Sequence, residues 1–227
     1  MTETPFLGAG IYTIPEAARL SGVSAARIRR WLKGYGFKTR KARHHSPPVW
    51  NGQLDPIEGK LAIGFRDLME IRFVNAFLDA GVSWKTMRAA HVAAKAKLGS
   101  DQPFCTHQFV TDGREILQRE AHASGDTSLL NITTDQREFD RLVSPFLKEL
   151  DFDGGVTRWW PLGRKRFVVV DPVKNLGQPT VTRSGVPTRV LARSVAANGS
   201  VDEVARWFEV ATEEVRDAVE FEQSLAA

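Results

Sequence analysis

Arg27, Arg30 and Lys33 recur at intervals of three residues, a spacing that in a helix lines their side chains along one face. Three long cations in a row suit a polyanion. Each can neutralise a phosphate, and a guanidinium can donate paired hydrogen bonds to the edge of guanine in a major groove. Ser24, Arg29 and Trp31 share this short segment, and Arg40, Lys41 and Arg43 follow in the basic stretch KTRKARHHSPPVW. Together these residues are the candidate DNA contacts. No Asp or Glu occurs from Ala17 to Leu54, whereas from Ser200 onward eight acids face only Arg206 and Arg216. One end of the chain suits nucleic acid and the other repels it.

Other reactive residue types carry less. His44 and His45 are neighbours, so they cannot face one metal from a helix or strand, and no cysteine or carboxylate cluster lies near them. They read as polar loop residues and phosphate contacts. Cys105 is the single cysteine, which excludes an internal disulfide and a cysteine-cluster metal site; beside Phe104 it reads as a half-buried small apolar residue. Asp151 and Asp153 in LDFDGG begin like a calcium loop, but the later ligand positions are missing. Trp159 and Trp160 point to opposite faces of a strand. One belongs to the core, and the other is either an interface anchor or packed as well. No nucleophile motif or glycine-rich phosphate loop occurs, so neither enzyme activity nor a cofactor is expected.

The cations must be held by helices. Thr13 and Glu16 fit a capping box, with Pro15 in the first turn. Ala17, Ala18 and Leu20 form the inner side, and Gly22 suits a sharp turn. Ser24 then caps a second helix, Ala25 to about Lys33, with Ile28 and Leu32 inside. The pair has the spacing of a DNA-binding helix-turn-helix. The stretch after Tyr35, rich in Gly and Pro to Gly59, reads as a wing or loop. Helices follow over about Phe65 to Ala80 and, capped by Ser83, to about Leu98.

In the middle of the chain, Asp112–Gly113 in QFVTDGREILQ predicts a hairpin, and TSLLNIT predicts a strand. DQREFDRLVSPFLKEL has helical spacing, with Pro145 kinking that helix or opening another. VTRWWPL and KRFVVVD predict paired strands. The last segment is helical, with Trp207 and Phe208 expected in its core. It also echoes the opening motif at an offset of 187 positions: Thr13, Ile14, Glu16, Ala18 and Arg19 fall on Ser200, Val201, Glu203, Ala205 and Arg206. Under the same offset Arg27, Arg30 and Lys33 become Glu214, Asp217 and Glu220. The skeleton repeats with its outward charge reversed, which predicts a helix-turn-helix shape used for protein contact.

The fold class expected is α+β, mainly α. Residues 10–100 would form a winged helix-turn-helix unit and 104–172 a small α+β unit that links or dimerises chains. Residues 177–227 would form an acidic helical unit. With 227 residues, 42% apolar and 26% charged, the chain has the composition of a soluble globular protein. No run approaches the roughly 20 apolar residues needed to span a bilayer, and MTETPFLGAG lacks the pattern of a signal peptide, so a cytoplasmic protein without a membrane partner is expected.

Two resemblances add to this. YTIPEAARLSGVSAARIRRWLKGYGF and FRDLMEIRFVNAFLDAGVSWKTMRAA resemble the N-terminal region of MerR-type regulators, with RKARHHSPPVW in place of the usual Gly-Tyr-Arg wing. The long dimerisation helix and effector-binding cysteine of that family are absent. GQPTVTRSGVPTRVLARSVAANGSVDEVARWFEVATEEVRDAVEFEQ resembles a small domain of antitoxins encoded beside PIN-like ribonuclease toxins. The order of segments, including FVTDG and VVVDP, resembles the larger VapB-type antitoxins. That resemblance implies a homodimer, repression of its own operon through operator DNA, and neutralisation of a cognate PIN-like ribonuclease toxin. It implies further that Glu213, Glu214, Asp217 and Glu220 meet a basic cleft on the toxin. The rival expectation is a stand-alone MerR-like regulator whose middle unit senses a small ligand.

Overall fold

A computed structural model describes residues 8–38 and 42–226. Arg40 and Lys41 lie outside the described residues. The chain opens with α1 (Ile14–Ser21) and α2 (Ala25–Lys33), followed by a hairpin of β1 (Tyr35–Lys38) and β2 (Arg43–Ser46). The helices α3 (Phe65–Asp79) and α4 (Trp84–Leu98) come next, then α5 (His107–Ser124), α6 (Thr127–Thr134) and α7 (Gln136–Glu149). Four short strands, β3 (Leu150–Phe152), β4 (Val156–Trp159), β5 (Val168–Val169) and β6 (Thr180–Val181), lead into α8 (Thr188–Asn198), α9 (Val201–Trp207) and α10 (Thr212–Ser224). The protein is mainly helical, and its sheets among the described residues are three antiparallel pairs, β1–β2, β3–β4 and β5–β6.

The central region departs from the sequence expectations. Asp112–Gly113 lies inside α5 rather than at a hairpin turn. The helical period wins because Phe109, Gly113, Ile116, Leu117 and Ala121 form one buried face, and the Thr106 side chain caps the start. Gly113 serves close packing here: a Cβ would sit 2.7 Å from the Phe109 ring. TSLLNIT is α6, capped by Asp126, with Leu129, Ile132 and Thr133 buried at helical spacing. Pro145 sits within one continuous helix, α7. VTRWWPL and KRFVVVD pair in the backbone at the single bridge Trp159–Val170, beside the Arg158–Asp171 ion pair; β4 pairs with β3, and β5 with β6.

One buried apolar cluster runs from Tyr12 in the opening segment through α1–α7 to Val170 and takes in Phe221 of α10. A second, smaller one joins Val181, Leu191, Val204, Ala205, Val215 and Ala218. Polar ties link the last segment to the rest. The Tyr12 hydroxyl donates to the Gly177 carbonyl at 2.6 Å, and Arg19 pairs with Glu222 at 2.8 Å. Trp159 is in the core, with the Arg72 guanidinium 3.9 Å from its ring centroid. Trp160 is half-buried, and its indole N–H donates to Asp151 at 2.9 Å. Trp207 is 59% exposed, against the core expectation, because α9 ends there and turns it outward; Phe208 packs partly buried on the smaller cluster.

The offset of 187 holds in the backbone. It carries the first residue of α1 onto that of α9, and the first residue of α2 onto that of α10. Even the turn repeats. Gly22 has φ 72°, and Glu209, its counterpart, has φ 53°. A left-handed conformation costs a residue with a Cβ about 1 kcal/mol or more. Glu209→Gly is therefore expected to stabilise the protein by about 0.5–1 kcal/mol, net of the greater freedom glycine gives the unfolded chain. A urea midpoint that falls on this substitution would contradict the equivalence.

Candidate nucleic-acid interface

The helix-turn-helix is built from local rules. Thr13 Oγ1 accepts the Glu16 amide and Glu16 returns an acceptor to the Thr13 amide at 2.8 Å, closing the capping box of α1. Ser24 is exposed at the start of α2, and its hydroxyl accepts the Arg27 amide at 3.3 Å. Ile28, Trp31 and Leu32 pack inward. Arg27, Arg29, Arg30 and Lys33 stay exposed on the outside.

Trp31 departs from the expected DNA contacts. It is 3% exposed and stacks on Trp84 with ring centroids 5.3 Å apart and planes 11° off parallel. Its place on the inner stripe beside Ile28 and Leu32 makes it a core residue that sets the pose of α2 on α4.

The hairpin stands beside this helix. Gly34 makes the link at φ 70°, where a Cβ would come within 2.3 Å of the Ser46 carbonyl oxygen, so only glycine fits. The Trp31 carbonyl accepts the Val49 amide at 2.8 Å, and Arg88 of α4 donates to the Ser46 hydroxyl at 2.6 Å. Both contacts hold the base of the hairpin, where Ser46 pairs with Tyr35. Lys38 and Arg43 face each other across the strands and are exposed. Phe37, 44% exposed, stacks on His44. His44 and His45 thus belong to the hairpin, and the described residues contain no group of three or more His, Cys, Asp and Glu that could hold a metal.

Three supporting residues escaped the sequence reading. Asn75 of α3 accepts from Arg27 at 3.0 Å and fixes that side chain's direction. Tyr35 lies under the Arg30 guanidinium at 5.7 Å, a position that an aromatic flanked by Gly34 and Gly36 could have signalled. Asp67 is fully buried and accepts four N–H groups, from Trp50, Gln102, Gln53 and Gly64, at 2.8–3.1 Å. It ties the chain returning from the hairpin to the start of α3. Burial outweighs those donors and pushes its carboxyl up to about 6. Its place three residues after Gly64 was the available clue. Nearby, His91 Nε2 lies 3.0 Å from Glu70 Oε1 with both side chains fully buried, and Cys105 is buried rather than half-exposed, its thiol pushed up chiefly by that burial.

The acidic face of α10 is divided. Glu214 is buried, accepting the Arg183 amide at 3.1 Å and the Ala211 amide at 3.2 Å. Asp217 is buried too, accepting the Phe167 amide at 2.8 Å and pairing with Arg166 at 2.6 Å. Glu220 is exposed but shares Arg166. Glu213 is exposed and has no ion pair among the described residues. The carboxylates that replace the cations of α2 thus mostly fasten α10 to its neighbours. No helix is long and apolar enough to cross a membrane among the described residues.

Comparison with known proteins agrees with this architecture. Residues 168–221 match a family profile described as a protein of unknown function (DUF433). Over 222 residues the chain is 26% identical to a Mycobacterium tuberculosis protein named as a candidate antitoxin, VapB45, covering 92% of both chains. The crystal structure of Rv2018 from Mycobacterium tuberculosis has the same fold, with a TM-score of 0.70 at 24% identity over 92% of this chain and 96% of that one.

Proposed function

We propose that the chain is the antitoxin of a bacterial type II toxin–antitoxin pair. It binds operator DNA through α2 and the β1–β2 hairpin, represses its own operon as a homodimer, and neutralises a PIN-like ribonuclease toxin in the cytoplasm. The toxin role is supported by the similarity to the candidate antitoxin along nearly the whole chain. The DNA role is supported by the outward cations of α2 beside an exposed basic hairpin, the arrangement in which a helix can enter a major groove while flanking residues touch phosphate. Ser24, Arg27, Arg29, Arg30, Lys33 and Arg43 are the DNA contacts in this reading. The unit formed by α8–α10 is the toxin-binding part, with Glu213 and Glu220 among its exposed carboxylates, while Glu214 and Asp217 hold its shape.

Co-expression with the product of the adjacent gene tests it. The expected outcome is a co-purifying complex and restored growth when the neighbour alone is toxic. No complex and no relief of toxicity would overturn the antitoxin role and leave a DNA-binding regulator.

A further inference from the structure

Three arginines gather round an apolar groove outside the proposed DNA contacts. The groove has a volume of about 540 Å³ and lies between α8 and α10, reaching Arg19 of α1. Arg189, Ala192, Arg193 and Ala196 line its α8 side, and this spacing places them on one helix face. Val219 joins Ala192 and Ala196 in an apolar floor.

Charge on the rim is one-sided. Glu222 is the single carboxylate in the lining, and both its oxygens are engaged, one by Arg19 at 2.8 Å and the other by the Thr188 hydroxyl at 2.6 Å. Arg189 and Arg193 are exposed and have no ion pair among the described residues. The surface is therefore an apolar strip edged by the exposed cations Arg189 and Arg193.

We infer that this groove seats an acidic amphipathic segment of the partner protein, and the inference rests on the antitoxin reading. Apolar side chains of that segment cover Ala192, Ala196 and Val219, and its carboxylates reach Arg189 and Arg193. Charge complementarity selects the sign of the partner, and the floor selects a polypeptide. A nucleic-acid backbone would use the cations but leave the floor wet. The result adds a basic docking strip to a unit whose sequence is dominated by acids.

The test uses the full chain and the purified product of the adjacent gene. Arg189→Glu with Arg193→Glu, and separately Ala196→Trp, are expected to weaken the complex at least tenfold by titration calorimetry, with operator affinity and thermal midpoint unchanged. Arg189→Lys with Arg193→Lys should retain most of the affinity. Absence of any wild-type complex would overturn the antitoxin reading and this inference with it. A wild-type complex indifferent to the charge reversal would overturn the groove alone; because both arginines are exposed, that variant stands even if Ala196→Trp fails to fold. Loss of DNA affinity with the complex intact would make the groove a nucleic-acid contact. A change confined to self-association would make it an interface between copies. Either result overturns the inference.

Discussion

Arg27→Ala combined with Arg30→Ala is expected to weaken operator binding about a hundredfold or more at fixed salt. A well-placed arginine on a base edge contributes about 1–3 kcal/mol of discrimination, and both side chains stand on the exposed side of α2. Their contacts within the chain are slight: Arg27 reaches Asn75, and Arg30 lies over Tyr35. Such exposed contacts contribute little to stability, so the thermal midpoint should stay put while affinity falls. Fluorescence anisotropy with a duplex from the region upstream of the gene would measure this. Specificity should drop together with affinity, because base contacts are removed. Substituting Arg43 on the hairpin should instead weaken all sequences alike and flatten the salt dependence, as expected for a phosphate contact. Unchanged affinity in the double variant would show that α2 is not the reading helix.

Asp67→Ala is expected to destabilise the protein by about 3–5 kcal/mol at pH 7. The substitution leaves four N–H donors without their acceptor, and a buried polar group stripped of its partner costs far more than the net value of the bond. Chemical denaturation would show it as a lower urea midpoint. The same residue sets a pH dependence. Its folded-state carboxyl is raised to about 6 from an unfolded value near 4. Between those values the native state holds a proton that the unfolded chain has released. Stability from this group is thus fully present below about pH 4 and lost as pH rises to about 6, by about 3 kcal/mol in all. Asp67→Asn removes the titration, so the variant's deficit against the wild type should shrink as pH climbs through that window. A constant deficit would show that the carboxyl titrates normally. Because Asp67 joins Trp50 and Gln53 to the start of α3, its loss should also loosen the base of the hairpin.

The ends of the chain were legible in the sequence because their signals are local. The Thr13 and Ser24 caps, the turn at Gly22 and the stripe of Ile28 and Leu32 reproduce themselves in the backbone, as does the Ser83 start of α4. The middle was not, because two periods competed there. Asp112–Gly113 has the local chemistry of a turn, and only packing of Phe109, Ile116 and Leu117 on the shared core makes it helix. The candidate site divided along the same line. Outward cations could be named from spacing; Trp31, three residues after Ile28, lies on the inner stripe by the same spacing, and its stack on Trp84, distant in sequence, fixes it there. Charge reversal in the second motif copy misled for a related reason. Sequence gives the sign of Glu214 and Asp217 but not their partners, and both are absorbed by neighbouring N–H groups.

Glu209 carries a broader consequence. It bends the chain through the left-handed region where Gly22 does so in the first copy, so a comparison of letters scores a mismatch at the position that shapes both motifs. Torsion angles are the trait the two copies share there. Degenerate helix-turn-helix units of this kind are better sought by where the backbone turns than by which residue turns it.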